Sequence, residues 1–245
     1  MAGHSHWAKI KRAKGANDAK RGKVWSKIAR KIIIAAKAGG GDPAANLSLR
    51  YVIDEARAEN MPRDTIEKAI AKGTGELGAE NYESVVYEGY APGGVAIMVE
   101  ALTNNRARTA PEMRKIFENA GGNLATSGSV AFQFTKQGII TIKSDAIAED
   151  ELLEKALDAG AEDVKNEGEV YVVITAPTAF HKVKDALAAA KVPIDAGMIT
   201  NVPNTTVPLT PEQAQRILRL IDALEDHEDV QSVSHNAEIP DSVTA

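Results

Sequence analysis

The segment from residue 138 to residue 202 constrains the fold of this chain more than any other part of the sequence. Apolar runs of strand length alternate there with runs of helical period, in the order β-α-β-β-α-β. This order is that of the ferredoxin-like split βαβ fold. The strands are predicted near residues 138–143, 161–166, 169–175 and 194–202, and the helices near 149–159 and 178–190.

The segments on either side of this series look like two parts of a second α+β domain. They are predicted to contain strands at 84–90, 94–102 and 129–134, a helix from the capping box at Thr109 to Gly121, a helix from Thr210 to about Asp226 and a strand at 230–235. The ββαβ portion before the series lacks a closing helix and strand, and the C-terminal pair supplies them. We therefore predict a discontinuous domain, 79–135 plus 206–245, with 136–205 inserted as a ferredoxin-like domain. The last helix and strand could instead pack on the inserted domain.

Residues 1–78 are predicted to form a basic arm followed by a small three-helix domain. The first helix covers about residues 20–37, with cations on one side and apolar residues on the other, and ends at the glycines 39–41. The second runs from the cap at Asp42 to Arg57, and the third from Pro62 to Gly73. The fold class is therefore α+β, an N-terminal three-helix domain followed by two ferredoxin-like α+β domains of which the first is discontinuous.

The charge of the chain is divided between its two ends. Residues 1–75 contain 16 basic and 7 acidic residues, a net charge of +9, whereas the remainder contains 13 basic and 27 acidic residues, a net charge of −14. A cationic segment on an anionic body is attracted to polyanions, because each neutralised phosphate releases counterions. The N-terminal part is therefore predicted to bind nucleic acid, either DNA or ribosomal RNA.

The predicted contact residues are the cations of the arm and of the first helix, with Trp7 able to stack on a base. They are Trp7, Lys9, Lys11, Arg12, Lys14, Lys20, Arg21, Lys23, Lys27, Arg30 and Lys31. Two other interpretations exist for a lysine-rich helix face, namely a solvated face that keeps the domain soluble and a surface that lies on an anionic membrane. Nucleic-acid binding is favoured because the cations continue through an arm that has no apolar face.

Arg106 and Arg108 stand in a loop that leads into a predicted helix. Backbone amides at a helix N-terminus bind phosphate, and the two arginines lie in an otherwise acidic body. The alternative is that they are two exposed arginines with no ligand. Both interpretations stay open at this point.

Enzyme, cofactor and metal signatures are weak. The chain has no cysteine, and its five histidines and its serines fall in no HExxH or GxSxG pattern. The GxGxxG match at Gly73–Gly78 follows a helix rather than a strand, so it is interpreted as a helix C-cap and linker. The carboxylates Glu225, Asp226, Glu228 and Asp229 are interpreted as a solvated face. We predict no enzyme activity, no cofactor and no metal.

No apolar run approaches the length of a membrane span, and residues 1–31 lack the apolar region of a signal peptide. A mitochondrial transit peptide is the rival interpretation of the acid-poor N-terminus, although such peptides are rich in arginine and serine. We predict a cytoplasmic protein without a membrane partner.

Eight ordered motifs give the chain a resemblance to the YebC/PmpR family, whose relatives include the mitochondrial translational activator of cytochrome oxidase. The motifs are Gly3–Trp7 (GHSHW), Asp18–Lys23 (DAKRGK), Ala38–Pro43 (AGGGDP), Tyr87–Gly94 (YEGYAPGG), Asn105–Thr109 (NRART), Gly121–Leu124 (GGNL), Gly128–Val130 (GSV) and Leu224–Gln231 (LEDHEDVQ). The resemblance implies a three-domain cytoplasmic protein without enzymatic activity. It adds His4, in the first motif, to the implied contact residues. The family commonly has lysine at the position of His6 and glycine at that of Ala91.

The resemblance implies two alternative roles. Family members are usually labelled probable transcriptional regulators that bind DNA. The alternative is a translation factor that binds ribosomal RNA on the large ribosomal subunit and relieves stalling at proline-rich stretches. The oligomeric state is not predicted, although a monomer is compatible with the sequence.

Overall fold

The computed structural model describes residues 21–78 and 81–244 and confirms the α+β class, with an N-terminal helical domain followed by sheet domains. The helices are α1 (Arg21–Gly39), α2 (Leu47–Ala58), α3 (Arg63–Thr74), α4 (Arg106–Asn119), α5 (Glu149–Ala159), α6 (Phe180–Ala189), α7 (Pro211–Glu225) and α8 (Asp241–Thr244). The strands are β1 (Glu83–Ala91), β2 (Val95–Thr103), β3 (Asn123–Leu124), β4 (Phe134–Lys143), β5 (Asp163–Asn166), β6 (Val170–Thr175), β7 (Ile194–Pro203), β8 (Val207–Pro208), β9 (Val230–His235) and β10 (Ala237–Glu238).

The three N-terminal helices share one apolar core. Helix α1 contributes Ile28 and Ile32, and these pack with Leu49 of α2 and Ile66 of α3. Gly73 lies where α3 meets α1, because a Cβ atom added to it would stand 2.6 Å from the carbonyl oxygen of Ile33. The apolar side of α1 is therefore committed to the core, and its cations lie on the opposite side.

The start of the second helix differs from the prediction. Helix α2 is capped by Asn46, whose side-chain oxygen accepts a hydrogen bond from the Leu49 amide at 3.1 Å, rather than by Asp42. The Asn46 amide group also donates to the carbonyl oxygens of Ala35 and Gly40 at 2.8 Å each. Asp42 instead caps a turn that precedes the helix, by accepting from the Ala44 amide at 2.9 Å.

The end of α3 contains the GxGxxG segment. Gly75 is the C-cap, with a left-handed φ of 88°, and the element that precedes the segment is a helix rather than a strand. The interpretation as a helix end is therefore confirmed, because a phosphate loop would follow a strand and open a helix.

The first four-stranded sheet has the order β3-β1-β2-β9. Strands β1 and β2 form the predicted hairpin, in register from Glu83 opposite Thr103 to Ala91 opposite Val95. Helix α4 begins at Arg106 with Asn105 as its N-cap, three residues before the predicted capping box at Thr109. The C-terminal strand β9 lies beside β2, which is the position expected for an element that completes this sheet.

The predicted strand at 129–134 is wrong. Residues Asn123–Leu124 form the third strand of the sheet, and Ala131–Gln133 form a 3-10 helix. The physical reason lies in the buried carboxylate of Glu88, which accepts hydrogen bonds from the amides of Gly128 at 2.7 Å and Val130 at 2.6 Å. These amides bind a side chain, so they are not available to a strand ladder.

The second four-stranded sheet has the order β5-β6-β4-β7, with every neighbouring pair antiparallel. This is the arrangement that the β-α-β-β-α-β series predicted. Residues of α5 and α6, such as Leu152 and Leu187, form a core with Ile140, Ile142 and Val173 of the sheet. A separate parallel pair joins β8 and β10.

The described residues form two compact units. One contains the helical domain and the first sheet, up to residue 130 and from 215 to 233, and the other contains 131–214 and the residues from 234 onward. The division into three domains, 1–78, 79–135 plus 206–245, and 136–205, stays a prediction. None of the described helices combines the length and the apolar character needed to cross a membrane.

Candidate nucleic-acid interface

The predicted contact residues divide into those that the structure describes and those that it does not. The side chains of Lys23, Lys27, Arg30, Lys31, Arg106 and Arg108 are described. The others fall outside the described residues or, for Arg21, have no described side chain; they are His4, Trp7, Lys9, Lys11, Arg12, Lys14, Lys20 and Arg21. We call Lys23, Lys27, Arg30 and Lys31 the basic face of α1.

Three members of the basic face of α1, namely Lys23, Lys27 and Arg30, contact residues Glu225–Asp229, at the end of α7 and in the turn that follows. We call this stretch the acidic segment. The Lys23 ammonium lies 3.3 Å from a carboxylate oxygen of Asp226, and Lys27 donates to the backbone carbonyl oxygen of Glu225 at 2.6 Å. The carbonyl groups at a helix C-terminus carry partial negative charge, so the end of α7 attracts these cations in addition to its carboxylates.

Arg30 is the most enclosed member of the basic face, since its side chain is only 11% exposed. Its guanidinium donates to the backbone carbonyl oxygen of Glu228. It also lies 3.4 Å from carboxylate oxygens of Glu228 and Asp229 and 5.6 Å from the centre of the Tyr82 ring. Arg30 therefore holds the acidic segment on α1 and is not a free surface cation.

Asp229 is fully buried, so the prediction of a solvated acidic face is wrong for this residue. One of its carboxylate oxygens accepts hydrogen bonds from Arg108 at 2.6 Å and from the Thr109 hydroxyl at 2.7 Å. Burial alone would raise the pKa of Asp229, but the bonds from Thr109 and Arg108 and the charges of Arg108 and Arg30 hold that pKa below its usual value. Asp229 is thus an ionised group inside the protein, shared by α1 and α4.

The remaining described cations of the predicted set also have partners in the chain. Lys31 lies 2.7 Å from a carboxylate oxygen of Glu55, and Arg106 lies 3.6 Å from one of Glu83. Burial lowers the pKa of Lys27, although the charges of Glu225 and Asp226 oppose this effect. The sequence left two interpretations open for Arg108, a phosphate-binding arginine and an exposed arginine with no ligand. In the structure its guanidinium is bound to Asp229, so neither interpretation is complete.

His227 completes the acidic segment and was not identified from the sequence. Its Nδ1 accepts a hydrogen bond from the Asp229 amide at 3.1 Å, and its Nε2 lies 2.9 Å from a carboxylate oxygen of Glu112 on α4. An imidazole with its proton on Nε2 satisfies both contacts. Two signals in the sequence pointed to this region, namely its place in the motif Leu224–Gln231 and the opposite charges of the acidic segment and α1.

The described residues contain no cluster of three or more histidine or carboxylate side chains suited to hold a metal ion. The chemistry that the described site offers is electrostatic. Its cations can bind carboxylate or phosphate oxygens, and in this structure they bind carboxylates and carbonyls of the same chain.

Two family models match the chain. One is described as the TACO1/YebC protein N-terminal domain and matches residues 5–76, and the other as the TACO1/YebC second and third domain and matches residues 82–237. A crystal structure of the conserved hypothetical protein Aq1575 from Aquifex aeolicus is similar, with a TM-score of 0.81 and 48% identity over 91% of this chain and 92% of that one.

Curated relatives are similar along their whole length. A probable transcriptional regulatory protein of Acidithiobacillus ferrooxidans is 51% identical over 100% of this chain and 98% of its own. A probable transcriptional regulatory protein of Carboxydothermus hydrogenoformans is 52% identical over 98% of this chain and 100% of its own.

Proposed function

Because this chain belongs to the TACO1/YebC family, we propose that it is a non-enzymatic regulator of gene expression that binds nucleic acid, and that it acts on DNA as a transcriptional regulator. The observation that carries this proposal is the net charge of +9 on residues 1–75 of a chain whose total charge is −5. A cationic segment of this size is expected to bind phosphates in a strongly salt-dependent way. In this proposal the protein is cytoplasmic and uses no cofactor.

The shape of α1 supports the proposal. Its apolar side is buried with α2 and α3, and its cations lie on the other side, where Lys27 and Arg30 hold the acidic segment. Lys23 and Lys31 remain partly open to solvent, with 48% and 35% of their side chains exposed. Both ammonium groups can therefore reach a phosphate without unfolding the helical domain.

A translation factor that binds ribosomal RNA is the second candidate. The sequence shows no helix-turn-helix spacing with a plausible recognition helix, which favours contact with the sugar-phosphate backbone over reading of bases. Contacts of that kind serve duplex DNA and ribosomal RNA alike. In this alternative the large ribosomal subunit would be the partner.

Charge removal on α1 tests the phosphate contacts. In the full-length chain, Lys20, Lys23 and Lys31 are changed to Gln; Lys27 and Arg30 are kept because they hold backbone carbonyls. We expect affinity for duplex DNA to fall on the order of tenfold, and the slope of log Kd against log salt to fall by about 0.9 for each phosphate that the variant no longer neutralises. Fluorescence anisotropy at several salt concentrations measures both quantities.

The matched control changes Lys165, Lys182 and Lys191, three exposed lysines of the other unit, to Gln, so that the net charge changes equally. Equal affinities of the two triple variants, or binding that does not depend on salt, would contradict the proposal.

Sedimentation of cell lysate through a sucrose gradient at moderate salt separates the two candidate roles. Comigration with large ribosomal subunits after nuclease treatment of DNA would favour the translation factor. Loss of the protein from heavy fractions after the same treatment would favour DNA as its partner.

A further inference from the structure

The acidic segment occupies the same donor groups that the proposed function assigns to phosphate. Lys23 contacts Asp226, Lys27 contacts the Glu225 carbonyl, and Arg30 contacts Glu228. Phosphate oxygens would compete for these N–H donors, because carboxylate, carbonyl and phosphate oxygens are acceptors of the same kind. An N–H group that is bonded to the acidic segment is not available to a phosphate, and the carboxylates of the segment also lower the local positive potential.

The contacts of the acidic segment fall into a fixed part and an exchangeable part. Asp229 is fully buried and is hydrogen-bonded to Arg108 and Thr109, so it is fixed. The side chains of Asp226 and Glu228 are 60% and 75% exposed. Exposed ion pairs are weak, so a dense array of phosphates can displace the two carboxylates while Asp229 stays in place.

A pocket of about 390 Å³ lies beside the exchangeable pair and is lined by Gly22, Lys23, Ser26 and Glu228. Its position between the start of α1 and the acidic segment gives an anion access to Lys23 from solvent. The displacement of the carboxylates therefore requires only side-chain movement.

We propose that the acidic segment is an internal competitor for nucleic acid, which lowers the affinity of the basic face of α1 for any polyanion. This inference rests on the proposed function, since it presumes that α1 binds phosphates. It goes beyond that function by assigning a regulatory role to Asp226 and Glu228. A ligand with closely spaced phosphates displaces these carboxylates, whereas an isolated anion does not.

The competitor is tested by removing its exchangeable charges in the full-length protein. The variant Asp226→Asn/Glu228→Gln is expected to bind duplex DNA and ribosomal RNA about three- to tenfold more tightly than the wild type, in line with the removal of two weak ion pairs. Both side chains are exposed, so folding is expected to be unchanged, which a urea titration confirms.

The matched control is Glu154→Gln/Asp158→Asn, on the exposed side of α5 in the other unit. It makes the same change in net charge, so it measures the general electrostatic gain. If the control gains as much affinity as Asp226→Asn/Glu228→Gln, the internal competitor is ruled out. Failure of the proposed function is recognised separately, by the variant in which Lys20, Lys23 and Lys31 are changed to Gln. If that variant binds like its control, α1 does not bind phosphates; if it binds more weakly, only the internal competitor has failed.

Discussion

At the scale of single residues, Asp229 is the group on which the arrangement of the candidate site depends. Its carboxylate meets Arg108 and Thr109 of α4 and lies 3.4 Å from Arg30 of α1. Its backbone carbonyl accepts from the Leu102 amide of β2 at 2.8 Å. One buried acidic residue thus connects a helix of the N-terminal domain, a helix of the next domain and the sheet.

We expect Asp229→Asn to destabilise the protein by about 3 kcal/mol, because it leaves two arginines without their buried counter-charge. Unfolding in urea measures the decrease in stability, with Asp158→Asn as an exposed control that should change little.

The same residue gives a pH dependence. The folded pKa of Asp229 is lowered, so its stabilising effect is fully present above the unfolded pKa of about 3.9 and is lost as the pH falls through the lower folded value. Between about pH 6 and about pH 3 the wild type should therefore lose more stability than Asp229→Asn. Parallel curves for the two proteins would show that the charge of Asp229 contributes nothing to stability.

At the scale of elements, α1 has two tasks on opposite sides. Its apolar side forms the core of the helical domain, and its basic face holds the acidic segment. Close packing of α3 on the apolar side depends on Gly73, where a Cβ atom would stand 2.6 Å from the Ile33 carbonyl oxygen and 2.7 Å from the Cβ of Ala36.

Gly73→Ala is therefore expected to lower the free energy of unfolding by about 1–3 kcal/mol, despite the better helix propensity of alanine. Gly22→Ala is the matched control on α1, since nothing lies within 4 Å of a Cβ atom at that position. It should cost no stability. Thermal or urea unfolding of both variants measures the difference, and equal stability would contradict close packing of α1 against α3.

At the scale of the whole molecule, opposite charges at the two ends of the sequence meet in space. The charged groups of Lys23 and Asp226, which are 203 positions apart in the sequence, lie 3.3 Å apart. The positive charge of α1 is thus partly neutralised within the chain. The cations of the arm, namely Lys9, Lys11, Arg12 and Lys14, then become important for the proposed binding.

Deletion of residues 2–17 should therefore leave the free energy of unfolding nearly unchanged while it weakens nucleic-acid binding and reduces its salt slope. Deletion of the first forty residues is not an equivalent experiment, because it removes the buried Ile28 and Ile32 and with them the core of the helical domain. Anisotropy and urea unfolding on the shorter deletion separate the two effects. Unchanged affinity would show that the proposed contacts do not lie in the arm.

Local patterns in the sequence were sufficient for most elements. The β-α-β-β-α-β order and the amphipathic α1 were predicted because apolar residues repeat every two positions in a strand and every 3.6 positions in a helix. Both repeats can be recognised from residues that are close together in the sequence. The N-caps Asn46 and Asn105 were not predicted, because Asp42 and Thr109 nearby also fit capping patterns. The strand at 129–134 was wrongly predicted because the hydrogen bonds of Glu88 to the amides of Gly128 and Val130 were not anticipated. In the Asn46 and Glu88 cases, hydrogen bonds between groups that are not neighbours in the sequence had fixed the backbone.

The fold class, the family and the charge of each segment could be predicted from the sequence, since they depend on composition, spacing and motif order. The partners of the cations could not be predicted in this way and became visible in the folded chain. It paired Lys23, Lys27 and Arg30 with the acidic segment and buried Asp229 between two arginines. The physical reason is that an ion pair depends on a distance of a few ångströms, and that distance is set by the packing of helices and strands, not by the separation of residues along the chain.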